Sequence, residues 1–245
     1  MTRNRWIANL AVVGLTVSLT FAASLLQPVA PSDATSASSG RWNANLDAAT
    51  SAIPTPAQPS VIDQNANLLR VRQSNAKVTA SAAATANCDG CQGQATTLQV
   101  VYFDGRGPKN ADNVATAWSE CTGCSSKAVS VQVVVAKQID QLVVNNRSLA
   151  LNVGCDGCTT GATAMQFVLV GGSRRDLSAA AKKTVGELQA TLADQLAAAP
   201  SDPNQLATAR AQSDTTSVAD QLQEVLVADT GSTAVQRNID IQIAP

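Results

Sequence analysis

The chain has 245 residues, no histidine, and 17 Lys and Arg residues against 18 Asp and Glu residues. Without histidine, Ser-His and Cys-His catalysis are excluded and the commonest transition-metal ligand is missing. The basic residues are scattered, so no segment has the concentrated positive charge that binds nucleic acid. Aromatic residues make up only 3% of the chain, so its core must consist mainly of Val, Leu, Ile and Ala.

The N-terminus has the order of an export signal. Arg3 and Arg5 precede an apolar run from Trp6 to Leu26, and small polar residues follow it. The run approaches the roughly 20 residues that span a bilayer, so residues 1–34 are either a cleaved signal peptide or an uncleaved membrane anchor. We expect an exported protein, secreted or anchored at the outer face of the cytoplasmic membrane. Any membrane contact should be through this segment alone.

The next segment, residues 35–74, is rich in Ala, Ser, Thr and Pro and shows no hydrophobic periodicity in its first half. Such a composition buries too little apolar surface to order itself. We predict a disordered linker here, followed by one domain of ordinary size.

A Cys-x-Gly-Cys motif then occurs three times within residues 75–172, and the second interval between copies is one residue longer than the first. Its cysteines are Cys88 and Cys91, Cys121 and Cys124, and Cys155 and Cys158, and its glycines are Gly90, Gly123 and Gly157. The register continues beyond the cysteines, with an alanine and a glutamine at matching distances: Ala95 and Gln99, Ala128 and Gln132, and Ala162 and Gln166. The repeat is therefore a structural unit longer than the motif itself.

Each motif leads into a segment of strand length that is rich in β-branched residues, at 95–103, 128–136 and 162–170. Period-two alternation places Leu98, Val100 and Tyr102, with their equivalents, on a core-facing side. The opposite side carries the repeated alanine and glutamine. Since that side is small and half apolar, we expect it to be partly covered by helix.

The motifs are interpreted as hairpin turns because alternating runs, at 114–118 and 149–153, also precede the second and third copies. The glycine supplies the positive φ of a tight turn, and Asp89 or Asp156 before it completes an Asp-Gly turn signal. We predict an α+β fold in which three hairpins form an antiparallel sheet or sandwich. A stacked array is the alternative that the period suggests, although three unequal copies are the minimum for one.

Helical periodicity begins at Asp176 and is stopped by Pro200, and a second apolar stripe ends near Gly231. Residues 173–231 are therefore predicted to form a helical pair. Within residues 232–245, Ile239, Ile241 and Ile243 alternate with polar residues, which predicts a short edge strand.

Three kinds of chemistry are open to the cysteine pairs. Thioredoxin-type redox catalysis needs a thiolate at a helix N-terminus, but here each pair leads into a strand. A structural zinc site needs four thiolates, so two motifs would supply one site and leave the third pair without a partner. A disulfide within each motif suits an exported chain and all three copies. We predict Cys88 paired with Cys91, Cys121 with Cys124, and Cys155 with Cys158, with no metal.

The remaining candidates are explained by local structure. Each repeated glutamine could face a ligand, but a glutamine among small residues more commonly bonds to neighbouring backbone. Gly171 and Gly172 follow a strand without the GxGxxG pattern of a nucleotide loop, so no cofactor is expected. No residue is assigned a catalytic role.

The repeated Cys-x-Gly-Cys, alanine and glutamine positions, with two helices after them, resemble a group of exported actinomycete proteins. The likeness covers about residues 75–228 and rests on 88–99, 121–132 and 155–166. Similar repeats occur in or beside peptide zinc metalloproteases of those bacteria. This chain has no histidine for an HExxH motif, so the resemblance implies a companion or surface module.

We expect a non-catalytic structural or interaction protein of the cell envelope that contacts a protein or envelope component. The alternatives are a thiol-disulfide redox or thiol-responsive protein and a cysteine-only zinc module.

Overall fold

The computed structural model describes residues 46–138, 140–173, 176–198 and 205–244. Nine strands and two helices occur in these ranges. In chain order the elements are β1 (Asp47–Ala52), β2 (Ser60–Val71), β3 (Ala76–Ala86), β4 (Gln92–Asp104), β5 (Lys109–Ser119), β6 (Ser125–Gln138), β7 (Leu142–Asn152), β8 (Thr159–Gly171), α1 (Ala179–Ala198), α2 (Gln205–Thr230) and β9 (Ser232–Ala244).

The strands alternate between two sheets as the chain advances. Sheet A has the order β1-β3-β5-β7, and sheet B has the order β2-β4-β6-β8-β9. All pairings between these strands are parallel except the one between β8 and β9. Each coil of the chain thus contributes one strand to each sheet, and successive coils stack in parallel. The described ranges form a β-solenoid-like architecture with four coils.

The predicted antiparallel sheet or sandwich of hairpins is therefore wrong. A strand after every motif, and one before the second and third, were correctly expected, but the two strands that flank a motif lie in different sheets and do not pair with each other. Each strand pairs instead with its equivalent one repeat away: Gln99 lies opposite Gln132, and Gln132 opposite Gln166. The motif is a corner between sheets, and the stacked array is the correct alternative.

The register also explains why the two intervals between motifs differ by one residue. Partners in β5 and β7 differ in residue number by the shorter interval, as in Ser119 opposite Asn152. Partners in β6 and β8 differ by the longer interval, as in Ser125 opposite Thr159. The additional residue must lie in the corner between β7 and β8. Gly154, with φ of 60°, is in that corner, where positive φ lets the longer turn close without strain.

The first coil lies where a disordered linker was predicted. β1 and β2 fall within residues 35–74, and they pair in register with β3 and β4. The prediction relied on composition here because this coil has no cysteine motif to mark it as a further copy of the repeat. Its small and polar residues suit a strand whose neighbour supplies the hydrogen bonds. The predicted signal or anchor, residues 1–34, lies outside the described residues.

Both faces of the central strands of sheet B, which are β4, β6 and β8, are buried, each against a different partner. The face with Leu98, Val131 and Phe167 packs against α1 and α2, whose buried side chains include Leu192 and Leu222. The face predicted to be partly covered by helix instead faces sheet A, and its alanines form a compact cluster with those of sheet A. The space between the sheets is here called the lumen. It contains the alanines at the end near the Cys-x-Gly-Cys motifs, and Val101, Phe103 and Val134 at the other end.

The C-terminal strand, β9, closes one end of the stack. The two helices and the edge strand occur in the predicted order, and β9 pairs antiparallel with β8. Side chains of β9 also reach sheet A: the Ser148 amide donates to Asp240 Oδ2 at 2.7 Å, and the Ala150 amide donates to Gln242 Oε1 at 3.3 Å. These contacts satisfy backbone donors at an edge of β7 that no other described strand covers.

The parallel register predicts a specific cross-link on the outer face of sheet A. Ala83 and Thr116 are register partners on neighbouring strands, so the double variant Ala83→Cys with Thr116→Cys should form a disulfide on mild oxidation. Peptide mapping would detect it. The control, Ala83→Cys with Asn110→Cys, separates the thiols by roughly 20 Å along the strand and should not cross-link. Equal yields from both variants would contradict the register.

Candidate functional site

The three Cys-x-Gly-Cys motifs lie at one corner of the solenoid, stacked one above another. Within each motif the two cysteines lie at a distance that suits a disulfide, with Cα–Cα separations of 5.3, 5.9 and 5.7 Å for the first, second and third pairs. All six side chains form a single cluster together with Ala86. We call this cluster the cysteine corner.

The two cysteines of a motif differ in their exposure. The second cysteine of each motif, Cys91, Cys124 or Cys158, is at most 3% exposed. The first cysteine, Cys88, Cys121 or Cys155, is only partly buried. The cysteine corner therefore has an inner column of buried sulfurs and an outer column that solvent reaches. Within the inner column, Cys124 Sγ lies 3.2 Å from Cys158 Sγ.

The turns of the motifs bond to one another along the stack. Gly90, Gly123 and Gly157 have φ angles of 70°, 63° and 65°, the conformation that the turn pattern predicts. The Gly90 amide donates to the Thr122 carbonyl at 2.9 Å, and the Gly123 amide donates to the Asp156 carbonyl at 2.8 Å. Asp89 Oδ1 accepts a further bond from the Thr122 amide at 2.8 Å. The two aspartates therefore belong to turns, as expected, and the turns fix the vertical spacing of the cysteines.

Three sulfurs from two motifs are close enough to share a metal ion. The Sγ atoms of Cys121, Cys124 and Cys158 all lie within 4.8 Å of one another, and the described residues contain no other such group of His, Cys, Asp or Glu. A closed zinc site takes four ligands. The zinc alternative would therefore require Cys155, or another group, to join these three sulfurs.

The repeated glutamines form a ladder inside the lumen. Gln132 Nε2 donates to Gln99 Oε1 at 2.7 Å, and Gln166 Nε2 donates to Gln132 Oε1 at 2.6 Å. All three side chains are fully buried. The ladder therefore points away from solvent, and its amides bond mainly to one another and to backbone instead of facing a ligand.

The ladder also joins the two sheets. Each glutamine amide donates to a backbone carbonyl of sheet A: Gln99 to Thr79 at 3.0 Å, Gln132 to Asp112 at 3.0 Å, and Gln166 to Ala111 at 2.9 Å. The repeated alanines, Ala95, Ala128 and Ala162, lie further along the same face of each strand and are fully buried in the lumen. Small alanines allow the sheets to approach closely enough for the glutamines to reach across.

Asn113 and Asn146 form a second polar link that the sequence did not reveal. Asn113 Nδ2 donates to Asn146 Oδ1 at 2.7 Å and to the Met165 carbonyl of sheet B at 2.9 Å. Ser130 Oγ donates to Asn113 Oδ1 at 2.6 Å. The available signal was the recurrence of asparagine at equivalent positions of successive repeats.

The outer face of sheet A carries exposed apolar side chains beside the cysteine corner. Trp118, Leu149, Leu151 and Val153 are each 43–45% exposed, and Trp118 lies in register opposite Leu151. We call these four residues the outer strip. Alternation along β7 places Ser148 and Ala150 in the lumen, so this end of the strand turns small residues inward and Leu149 and Leu151 outward.

Two buried ionisable groups lie at the opposite end of the strands from the cysteine corner. Lys109 is 2% exposed, and its Nζ donates to the carbonyls of Gln73 at 2.6 Å and Arg106 at 3.1 Å. Burial lowers the pKa of Lys109, opposed by the charge of Asp140. Burial raises the pKa of the Tyr102 hydroxyl to about 12. Lys109 thus ties together the loops that follow β2 and β4 by bonding to the backbone of both.

These features define the class of the protein: a β-solenoid-like domain with a column of cysteine motifs at one corner and two helices over one sheet. Comparisons with protein families, curated proteins and solved structures show no match. The resemblance to exported actinomycete proteins therefore stays a prediction. Neither helix in the described parts of the chain combines the length and the apolar character needed to cross a membrane.

Replacing the middle glutamine tests the ladder. Gln132→Leu keeps similar volume but leaves Gln99 Oε1 without its donor and removes an acceptor from Gln166 Nε2. We expect the free energy of unfolding to fall by roughly 2–4 kcal/mol, since each buried polar group left unpaired costs about 1–3 kcal/mol. Chemical denaturation would measure it. The control Gln92→Leu, at an exposed position of β4, should stay within about 0.5 kcal/mol of wild type. A similarly small change at position 132 would contradict the ladder's role.

Proposed function

We propose that this chain is an exported, non-catalytic structural or interaction protein of the cell envelope. The observation that carries the proposal is the outer strip. Four apolar side chains face solvent at the end of sheet A where the buried inward apolar positions are alanines. Exposed apolar clusters on an ordered surface are characteristic of contact sites.

Rigidity supports a contact role for this surface. The strip lies on and beside β5 and β7, which are joined along their whole length by register pairs and tied to sheet B through the glutamine ladder and Asn113. A surface held in this way loses little conformational entropy when a partner binds. The partner is proposed to be a protein or another envelope component.

We also propose that the cysteines of each motif are oxidised to disulfides in the exported protein. Oxidising compartments favour disulfides over thiolate metal sites. The loop-entropy relation gives about 1.9 kcal/mol of stabilisation for each four-residue loop. Because the corner adjoins the outer strip at the ends of β5 and β7, these bonds would fix the end of the sheet where the strip lies.

The resemblance to repeats in or beside peptide zinc metalloproteases suggests the system in which this chain acts. In this proposal the chain serves as an accessory to a peptide-processing system and contributes a binding surface without cleaving peptides itself. The absence of histidine from the sequence is consistent with that division of roles, since such proteases bind zinc through an HExxH motif.

Peptide mapping of exported, non-reduced protein tests the cysteine state. We expect Cys88 linked to Cys91, Cys121 to Cys124, and Cys155 to Cys158, because each pair lies at a distance that suits a disulfide. Metal analysis of the same sample should find less than one zinc ion per chain. Stoichiometric zinc with free thiols would instead support the zinc alternative, and cross-motif links in the fresh protein would contradict the expected pairing.

Binding to isolated envelope material tests the contact surface. The double variant Leu149→Ser with Leu151→Ser removes half of the outer strip, and we expect its retention on the envelope fraction to fall at least tenfold relative to wild type. The matched control changes polar positions on the same exposed face of β7, Asn145→Ser with Arg147→Ser. Equal retention of both variants, with native circular dichroism, would contradict a contact role for the strip.

A thiol-responsive protein is the second candidate. The 3.2 Å approach of Cys124 Sγ to Cys158 Sγ favours it, because a sulfur so close to another disulfide is positioned for exchange. This candidate adds to the first a role in which the disulfides that brace the corner also react during function.

A further inference from the structure

The inner column of the cysteine corner brings sulfurs of different motifs into contact. Cys124 Sγ and Cys158 Sγ are 3.2 Å apart, although the two residues belong to successive repeats. Parallel pairing of β6 with β8 places Ser125 opposite Thr159, which sets the preceding cysteines side by side. The Thr159 amide donates to the Cys124 carbonyl at 2.9 Å and holds this spacing.

We propose that the cysteine corner carries out thiol–disulfide exchange between its second and third motifs. The disulfide bond is transferred between the inner sulfurs, and the outer sulfurs react with dissolved thiols. The inference rests on the intramotif disulfides of the proposed function and adds a reaction to them. Its substrate class is a small or protein thiol that reaches the outer column.

The exchange step is balanced without any oxidant or reductant. The thiolate of Cys124 attacks Sγ of Cys158, and an S–S bond forms between Cys124 and Cys158. The bond between Cys155 and Cys158 breaks, and its electron pair leaves on Cys155 Sγ as a thiolate. That thiolate takes up the proton released when Cys124 ionised. One disulfide and one thiol are present before and after the step.

In the wild-type chain an external thiol begins the series of exchange steps. Its thiolate attacks the partly exposed Cys121 Sγ, forms a mixed disulfide there and releases Cys124 as a thiolate inside the corner. Exchange with the third motif then delivers a thiolate to Cys155, which is also partly exposed. Reaction of an external thiol at the second motif thus produces a free thiol at the third motif, while the inner sulfurs stay buried.

The arrangement is specific because the transferring sulfurs are shielded. Cys124 and Cys158 are 1% and 3% exposed, so an external thiol reaches them poorly, whereas each faces the other at near-contact distance. Exchange rates depend on access as well as on thiolate fraction. The three sulfurs that lie within 4.8 Å of one another, those of Cys121, Cys124 and Cys158, belong to the second and third motifs.

Two single variants test the exchange from opposite directions. Cys121→Ser leaves Cys124 unpaired, and Cys155→Ser leaves Cys158 unpaired. Each purified variant is incubated near pH 8 with iodoacetamide, which alkylates exposed thiolates, and then mapped without reduction. We expect both variants to yield the same new bond, Cys124 to Cys158. The alkylated residue should be Cys155 in the first variant and Cys121 in the second.

The control is Cys91→Ser, which leaves Cys88 unpaired on the outer column. We expect Cys88 itself to be alkylated and both remaining motifs to keep their own bonds. The exchange is contradicted if Cys121→Ser retains the bond between Cys155 and Cys158 and Cys124 is alkylated only after unfolding. Cys155→Ser keeps the test decisive if Cys121→Ser does not fold. Intramotif bonds in wild type without exchange in the variants would reject this inference alone, whereas free thiols in wild type would reject the proposed function as well.

Discussion

A ladder of three buried glutamines holds the two sheets of this protein at a fixed separation. Each side chain bonds to a neighbouring glutamine and to a carbonyl of the opposite sheet, so moving one sheet away from the other would leave several buried polar groups unpaired. That cost enforces a narrow lumen. Between the ladder and the cysteine corner a narrow lumen in turn favours small side chains, and the alanine cluster occupies this region.

The narrow lumen also determines what each sheet presents outward. Sheet B carries its bulky residues on the outer face, where α1 and α2 bury them. Sheet A has no helical cover among the described residues, so Trp118, Leu149 and Leu151 remain in solvent. Beside the cysteine corner, where alanines fill the lumen, the large apolar side chains therefore lie on the outer faces, whereas the opposite end of the lumen contains Val101, Phe103 and Val134. The proposed contact surface and the proposed exchange at the cysteine corner lie on one rigid unit.

The sequence predicted local structure well and pairing poorly. Strands beside each motif, positive φ at the glycines and two helices followed by a strand all depend on nearest neighbours and on apolar period. Pairing does not: a turn with Asp-Gly suits a hairpin and a solenoid corner equally, and only contacts between successive repeats distinguish them. The first coil was missed because its corner has no cysteines, and the orientation of Leu149 could not be predicted because alternation does not say which face is inside.

The strand β9 has a consequence for assembly in solution. Stacked parallel coils offer the same pattern of backbone donors and acceptors at each end, which makes them natural templates for open-ended polymers. Here the Asp240 carboxylate accepts from the β7 edge, and at β1, the opposite edge strand of sheet A among the described residues, the Ser51 amide donates to the Asp63 carboxylate at 2.6 Å. A strand arriving at either of these positions would meet a donor already bonded and a negative charge. The fold thus carries its own terminators for sheet A, so fibre growth along that sheet is opposed by both hydrogen bonding and electrostatics.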